Sequence, residues 1–304
     1  VDSITSLLFS KLPGVLRLNY PLNKTNWFNV GGTTKYFYKP LNTQDLAEII
    51  NIAYINQINI LPLGVGSNIL IRDGGFDGLV IKLGKEFNYI QASEDLIEIG
   101  ASVLDQNVAA WTLNQSFKGF EFLSGIPGTI GGALAMNAGC YGAEIKDILV
   151  KAEIVNHSGQ VQMLYNEDLR YTYRKHGLNF KPYFTRGWFK AIKGEQEAIK
   201  LKMDHITKQR EQTQPLRSKT GGSTFKNPDP SICSLKAWEL LDKVGMRGFE
   251  HHGAKFSDVH CNFLINFNNA SATAIEELGE IAKKRVFEQF GIELTWEIER
   301  VGTK

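Results

Sequence analysis

The sequence predicts an α+β protein of more than one domain, and three observations carry that expectation. Extended runs of β-branched and aromatic residues, bounded by glycine turns, alternate with stretches whose apolar residues recur at helical spacing. A chain of 304 residues exceeds what one core usually organises, since domains run to about 100–200 residues. The polar, proline-containing stretch Gln214–Lys219 breaks the composition and reads as a linker. The expected division is 1–85, then 86–213 joined by a return strand over 292–304, then 214–291.

Taken in order, Ser3–Lys11 reads as an amphipathic helix stopped by Pro13-Gly14. Asn19–Pro40 reads as strand, tight turn at Gly31-Gly32, and strand. From Thr43, a candidate cap, Leu46, Ile49, Ile50 and Ala53 make one helical face, with Asp45 in the first turn. Ile58–Leu63, Ile69–Ile71 and Leu79–Leu83 read as strands, as does the alternating Leu96–Ile99. Ser102–Ser116 is a helix with Val103, Val108, Trp111 and Leu113 inward. Ile148–Asn156 and Gln160–Leu164 flank His157-Ser158-Gly159 as a hairpin. Trp188–Lys193 is a strand, Glu195–Gln212 a charged helix, Ser234–Lys243 a helix, Phe263–Asn266 a strand, and Ser271–Phe290 a helix capped by Ser271. Alternation over Ile292–Arg300 predicts a strand with Glu293, Glu297 and Glu299 on one face.

Composition narrows the function. A hydrophobic content of 43% excludes a disordered or fibrous chain, and a formal charge of +2 with mixed signs gives no nucleic-acid signature. The three cysteines, Cys140, Cys233 and Cys261, lie far apart without a CxxC pair, which fits a reducing, cytoplasmic setting and no zinc ribbon. The N-terminus shows no basic region followed by a cleavage-like box, so no secretory signal is expected. Phe122–Ala143 is uncharged over about twenty residues, a membrane span's length. Its glycines and Pro127 make a lipid-facing helix poor, so no membrane partner is expected.

What such a segment does well is expose backbone N–H groups. Ser124-Gly125-Ile126-Pro127-Gly128 followed by a short helix from Thr129 places unpaired amides and a positive helix end where a phosphate could sit, and Gly131-Gly132 permits close approach. Gly64-Val65-Gly66-Ser67-Asn68, followed by Ile69, is a second candidate cradle after a strand. It is neither the dinucleotide fingerprint, whose sixth-position glycine is replaced by Ile69, nor a Walker loop, since no GK[ST] follows. Each loop alone reads equally as a structural turn; together they point to a ligand with two phosphates.

Among side chains, Ser223 lies in the glycine-hydroxyl loop Thr220–Pro228 but lacks the G-x-S-x-G of a hydrolase elbow. Lys226 and Asn227 beside it suit an anionic, hydrogen-bonding ligand. Arg174, among tyrosines, has the planar fork that clamps a carboxylate, or is a stacked surface guanidinium. Glu297 reads as an outer-face strand carboxylate. His251, His252, His260 and Cys261 lack metal-site spacing, and no metal is expected.

The runs Val30-Gly31-Gly32, Gly64–Asn68, Ser124–Gly132, Met136-Asn137-Ala138-Gly139, Gly222–Pro228, His260-Cys261-Asn262-Phe263 and Trp296-Glu297-Ile298 stand in an order that resembles the UDP-N-acetylenolpyruvoylglucosamine reductase (MurB) family, from about Asn19 to Gly302. The resemblance implies an FAD-binding fold of the vanillyl-alcohol-oxidase (PCMH) type: 1–85 and 86–213 as its two subdomains, and a C-terminal α+β substrate-binding domain. It implies FAD held by Gly64, Val65, Gly66, Ser67, Asn68, Ile69, Ser124, Gly125, Ile126, Pro127, Gly128, Thr129, Gly131, Gly132, Asn137 and Gly139. NADPH would reduce the flavin, which would pass hydride to UDP-N-acetylenolpyruvoylglucosamine, giving UDP-N-acetylmuramate for peptidoglycan.

In that reaction Arg174 and Glu297 would polarise the substrate carboxylate, Glu297 as the protonated acid or through a shared proton, and Ser223 would protonate the carbanionic carbon. Lys226, Asn227, His260 and Asn262 would face substrate polar groups. The family's Tyr-Arg-x-Ser reads Tyr173-Arg174-Lys175-His176 here, and Lys255 stands where Gln is common. No extra tyrosine-bearing loop is visible, which implies the shorter-channel type II subclass; a monomer is expected. Two other classes share some features: a flavin oxidase of the same fold acting on a sugar or hydroxy acid, and a non-catalytic nucleotide-binding regulator.

Overall fold

A computed structural model describes residues 8–304; the helix expected over Ser3–Lys11 lies mostly outside them. In chain order come β1 (Val15–Pro21), β2 (Thr33–Lys39), α1 (Thr43–Ile55), β3 (Ile60–Pro62), β4 (Ile69–Ile71), β5 (Phe76–Ile81), β6 (Ile90–Ala92) and β7 (Leu96–Gly100). Then follow α2 (Asp105–Asn114), α3 (Ile130–Met136), β8 (Gly139–Cys140), β9 (Ala143–Glu144), α4 (Ile145–Ile148), β10 (Leu149–Val155), β11 (Val161–Tyr165), β12 (Tyr183–Lys190) and α5 (Gln196–Thr213). The last part holds α6 (Ala237–Lys243), β13 (Glu250–His251), β14 (Ala254–Phe256), β15 (Leu264–Asn266), α7 (Ala272–Phe290) and β16 (Glu299–Val301).

The described residues form two compact units, 8–18, 36–64 and 78–209 in the first, and 19–35, 65–77 and 210–304 in the second. This differs from the expected three-part division. The return strand was expected to join 86–213, but β16 takes its ladder from β4, with Glu299 opposite Ile69 and Val301 opposite Ile71. That pairing satisfies backbone groups of β4, whose three residues are buried.

In the first unit a five-stranded sheet runs β11-β10-β12-β7-β6. The inward residues Ile97, Ile99, Ala152, Ile154, Phe184 and Phe189 pack with Val108 and Ala109 of α2 and with Ile130, Ala133 and Leu134 of α3. β12 begins earlier than the predicted Trp188–Lys193, because Tyr183–Trp188 pairs along β10. A second core gathers under α1, where Leu46, Ile49 and Ile50 are essentially without exposure, each burial contributing about 1.5–3 kcal/mol. Its cap is Asn42, not Thr43: the Asn42 side chain accepts from the Asp45 amide at 2.9 Å. Much of a further sheet, ordered β1-β2-β5-β3, belongs to the same unit.

In the second unit α7 is the organising element. Its inward face, Ala274, Ile275, Leu278, Ala282 and Val286, packs on Phe225, Leu240, Leu264, Leu294 and Ile298. Ser271 caps it as expected, its hydroxyl accepting from the Ala274 amide at 3.1 Å. The sheet β13-β14-β15 supports that core. The strand predicted over Ile292–Arg300 is largely absent: Leu294 and Ile298 are buried as the alternation requires. Before β16 the segment instead bonds to the loop around Thr224 through single contacts, not a ladder.

Candidate active site

In the first unit the loop from Ser124 to Gly132 is built from side-chain and backbone ties that leave some amides without partners. The Ser124 hydroxyl donates to the Glu121 carbonyl at 2.7 Å. Thr129 caps α3, accepting from the Gly132 amide at 3.4 Å. The Ile130 and Gly131 amides donate to the Val103 and Ala101 carbonyls at 3.0 and 2.8 Å. The amides of Gly128 and Thr129 donate to no group among the described residues. Gly64 closes on this loop: a Cβ there would stand 2.8 Å from the Thr129 hydroxyl. A Cβ on Gly128 would stand 2.6 Å from an Asp105 carboxyl oxygen, so a side chain at either glycine would displace a neighbour.

Asp105 itself is without exposure, and neither carboxyl oxygen has a hydrogen-bond partner among the described residues. Burial alone holds its acid well above the usual carboxylate range. Asn137 ends α3 in the left-handed conformation, φ 47°. Its amide donates to Glu144 at 3.0 Å and to the Thr172 carbonyl at 3.1 Å, and its oxygen accepts from the Lys146 amide at 3.0 Å. These three bonds tie Asn137 into the loop. Arg174 sits nearby, its guanidinium donating to the Gly139 carbonyl at 2.5 Å and standing 3.8 Å from the Glu144 carboxylate. The His176 ring accepts from the Leu178 amide at 3.3 Å. Burial, then the neighbouring Lys175 charge, lowers its imidazole value.

In the second unit the structure brings together Ser223, Asn262, Glu297 and the loop 65–69. Ser223 bridges to Phe263 and Phe225 to Trp296. The Glu297 amide donates to the Thr224 carbonyl at 2.8 Å. Asn68 adds a tie from the glycine loop, its side-chain amide donating to the Glu297 carbonyl at 3.2 Å, while the Glu299 amide donates to the Asn68 carbonyl at 3.1 Å. The amides of Gly66 and Ser67 donate to no group among the described residues.

Asn262 is buried and occupied with the Ser223 loop: its oxygen accepts from the Phe225 amide at 3.0 Å and its amide donates to the Phe225 carbonyl at 2.8 Å. The Asn227 oxygen accepts from the Ala237 amide at 3.1 Å at the start of α6. The Lys226 amide donates to the Thr295 carbonyl at 2.9 Å. His260 packs its ring on Phe263 and Trp238, with centroids 4.8 and 6.3 Å away. Burial, then the Arg247 charge, lowers its imidazole value. Of the expected site, Ser223 and Glu297 thus lie in the second unit and Arg174 in the first.

Sequence reasoning passed over Glu144 and Asp105. Asp105 stands in the first turn of a helix, where acids are common, and only its burial sets it apart. No group of three or more His, Cys, Asp or Glu is placed to hold a metal, and no helix is long and apolar enough to cross a membrane, among the described residues.

Residues 34–165 match the FAD binding domain family, and residues 214–301 match the family described as UDP-N-acetylenolpyruvoylglucosamine reductase, C-terminal domain. The chain is 43% identical to the UDP-N-acetylenolpyruvoylglucosamine reductase of Rickettsia massiliae over 296 residues, 97% of this chain and 99% of that protein. It is 43% identical to that of Rickettsia typhi over 291 residues, 96% and 97% of the two chains. The crystal structure of the same reductase from Thermus caldophilus superposes with a TM-score of 0.81 and 28% identity, covering 96% of this chain and all of that one. Phl p 4.0202, a glucose dehydrogenase, shares the fold alone, with a TM-score of 0.50 at 10% identity over 64% of this chain and 44% of its own. This likeness over almost the whole length shows that the chain belongs to the UDP-N-acetylenolpyruvoylglucosamine reductase family.

Proposed function

We propose that this protein reduces the enolpyruvyl ether of UDP-N-acetylenolpyruvoylglucosamine to the lactyl ether of UDP-N-acetylmuramate, with FAD as cofactor and NADPH as reductant. The observation that carries the reading is the joining of the Ser223 loop, the Glu297 segment and Asn68 of a glycine loop by direct hydrogen bonds. The residues present fit FAD. The amides of Gly66, Ser67, Gly128 and Thr129 donate to no group among the described residues, and a side chain at Gly64 or Gly128 would displace a neighbour. Main-chain donors of this kind suit a diphosphate.

When bound, FAD would supply hydride chemistry, with NADPH as the reductant, for addition of hydride to the vinyl carbon. The carbon bearing the carboxylate then carries the electron pair, delocalised into that carboxylate, and the chain's residues must accommodate the charge. Arg174 offsets it with its guanidinium. The Glu297 carboxyl, acting as the protonated acid, donates to the same carboxylate, since an ionised one would repel it. The Ser223 Oγ gives up its proton to the carbanionic carbon and regains one from water, which completes the addition of two hydrogens across the double bond. Asn262 and Asn227 serve by fixing the Ser223 loop, and Lys226 and His260 lie where polar groups of the nucleotide sugar would meet them. The reading extends to a cytoplasmic monomer, since NADPH and UDP-sugars are cytoplasmic pools and one chain supplies every residue named.

Ser223→Ala separates the half-reactions. Stopped-flow absorbance should show FAD content and flavin reduction by NADPH unchanged, and reoxidation by the enolpyruvyl nucleotide slowed by about 10²–10⁴-fold. Equal loss of both half-reactions would refute the proton-donor role.

A further inference from the structure

The turn that carries Arg174 is held from behind by groups that the proposed chemistry does not use. Thr172 and Lys175 exchange backbone hydrogen bonds at 2.8 and 3.3 Å, closing a tight hairpin, and Arg174 sits in it with φ 56°. An arginine keeps such a backbone conformation only where its surroundings over-determine it. Those surroundings are the β8–β9 pair, in which Gly139 stands opposite Glu144. The guanidinium bonds to the carbonyl of Gly139 and lies 3.8 Å from the carboxylate of Glu144.

Glu144 is itself fixed. Its amide donates to Asp147 at 2.8 Å, and one carboxylate oxygen receives Lys146 at 2.8 Å and Asn137 at 3.0 Å. Asn137 also donates to the Thr172 carbonyl, tying the arginine's turn to the same frame. At 3.8 Å, with its other oxygen engaged by Lys146, Glu144 steers the guanidinium without a direct hydrogen bond at that distance. Both side chains are largely shielded, Arg174 15% and Glu144 21% exposed, so the attraction is only partly screened.

We propose that Glu144 is a positioning residue for Arg174, setting the guanidinium that meets the carboxylate of the substrate. The inference rests on the role given to Arg174 above, and the experiment keeps the two apart. Glu144→Gln preserves the side chain's size and removes its charge. KM for the enolpyruvyl nucleotide should rise on the order of ten-fold, with FAD content, thermal unfolding and flavin reduction by NADPH unchanged. In an Arg174→Lys background, where the planar fork is already gone, the same change should have little further effect, giving a coupled double-mutant cycle.

If Arg174→Lys alone leaves reoxidation by the nucleotide intact, the role of Arg174 fails. If Arg174→Lys slows it while Glu144→Gln does not, or if the two effects simply add, the positioning role of Glu144 is overturned and that of Arg174 stands. Loss of FAD or of folding in Glu144→Gln, with Glu144→Asp giving a normal KM and cycle, would assign Glu144 a structural part and equally overturn the proposal.

Discussion

Asp105 shows how a single residue can carry information that its sequence context hides. An acid in the first turn of a helix ordinarily favours that helix, yet this one is sealed without a partner against Gly128. Because its folded-state value is raised, the stability it contributes is present in full below the ordinary carboxylate range and is lost as pH rises toward the folded value. Over that window this group alone subtracts up to about 1.4 kcal/mol per pH unit, the worth of one proton. Asp105→Asn should therefore raise the melting temperature at pH 8 by more than at pH 4. Melting curves with the same difference at both values would contradict the buried neutral acid. Arg174, Ser223 and Glu297 can be proposed from the sequence because each stands in a recognisable run of residues. Glu144 cannot, since its partners Arg174, Asn137 and Lys146 acquire meaning only when the β8–β9 pair is folded.

At the scale of elements, the helices were the most legible part. α7 was read from Ser271 with its cap, and α5 within a residue at each end, because apolar periodicity and capping are local properties. The terminal segment was harder: alternation correctly marked Leu294 and Ile298 as buried, but a strand also needs a partner, and the sequence does not name one. The structure fixes this segment through Trp296. Its ring lies 5.1 Å from that of Phe225, and its indole N–H donates to Glu280 at 2.7 Å. Arg300 packs over it and also reaches Glu276 and Glu280.

Trp296 in turn occupies the space above Gly279, where a Cβ would fall within 2.2 Å of the indole. A ring held on several sides cannot yield at low cost, so Gly279→Ala should destabilise the protein by about 1–3 kcal/mol. By displacing the residue before Glu297 it should also slow reoxidation of the reduced flavin. Calorimetry and stopped-flow absorbance check the two effects. Full stability with normal turnover would show that Trp296 does not set the Glu297 segment.

For the whole molecule, the α+β class was readable from the alternation of extended and helical periodicity, and the FAD-binding fold because the glycine loops keep their order along the chain. The division into units was not: 19–35 and 65–77 join 210–304, a grouping created by pairings such as β16 with β4 that no local pattern encodes. The proposed chemistry asks the same of the chain, donors and acids from distant stretches of sequence for one reaction. Anaerobic titration of the flavin absorbance tests this most directly. NADPH should bleach the bound FAD, and UDP-N-acetylenolpyruvoylglucosamine, but no simple hydroxy or keto acid, should restore the yellow colour as UDP-N-acetylmuramate forms. A flavin that stays bleached with the nucleotide sugar, or a protein that takes up no FAD at all, would contradict the proposed reaction.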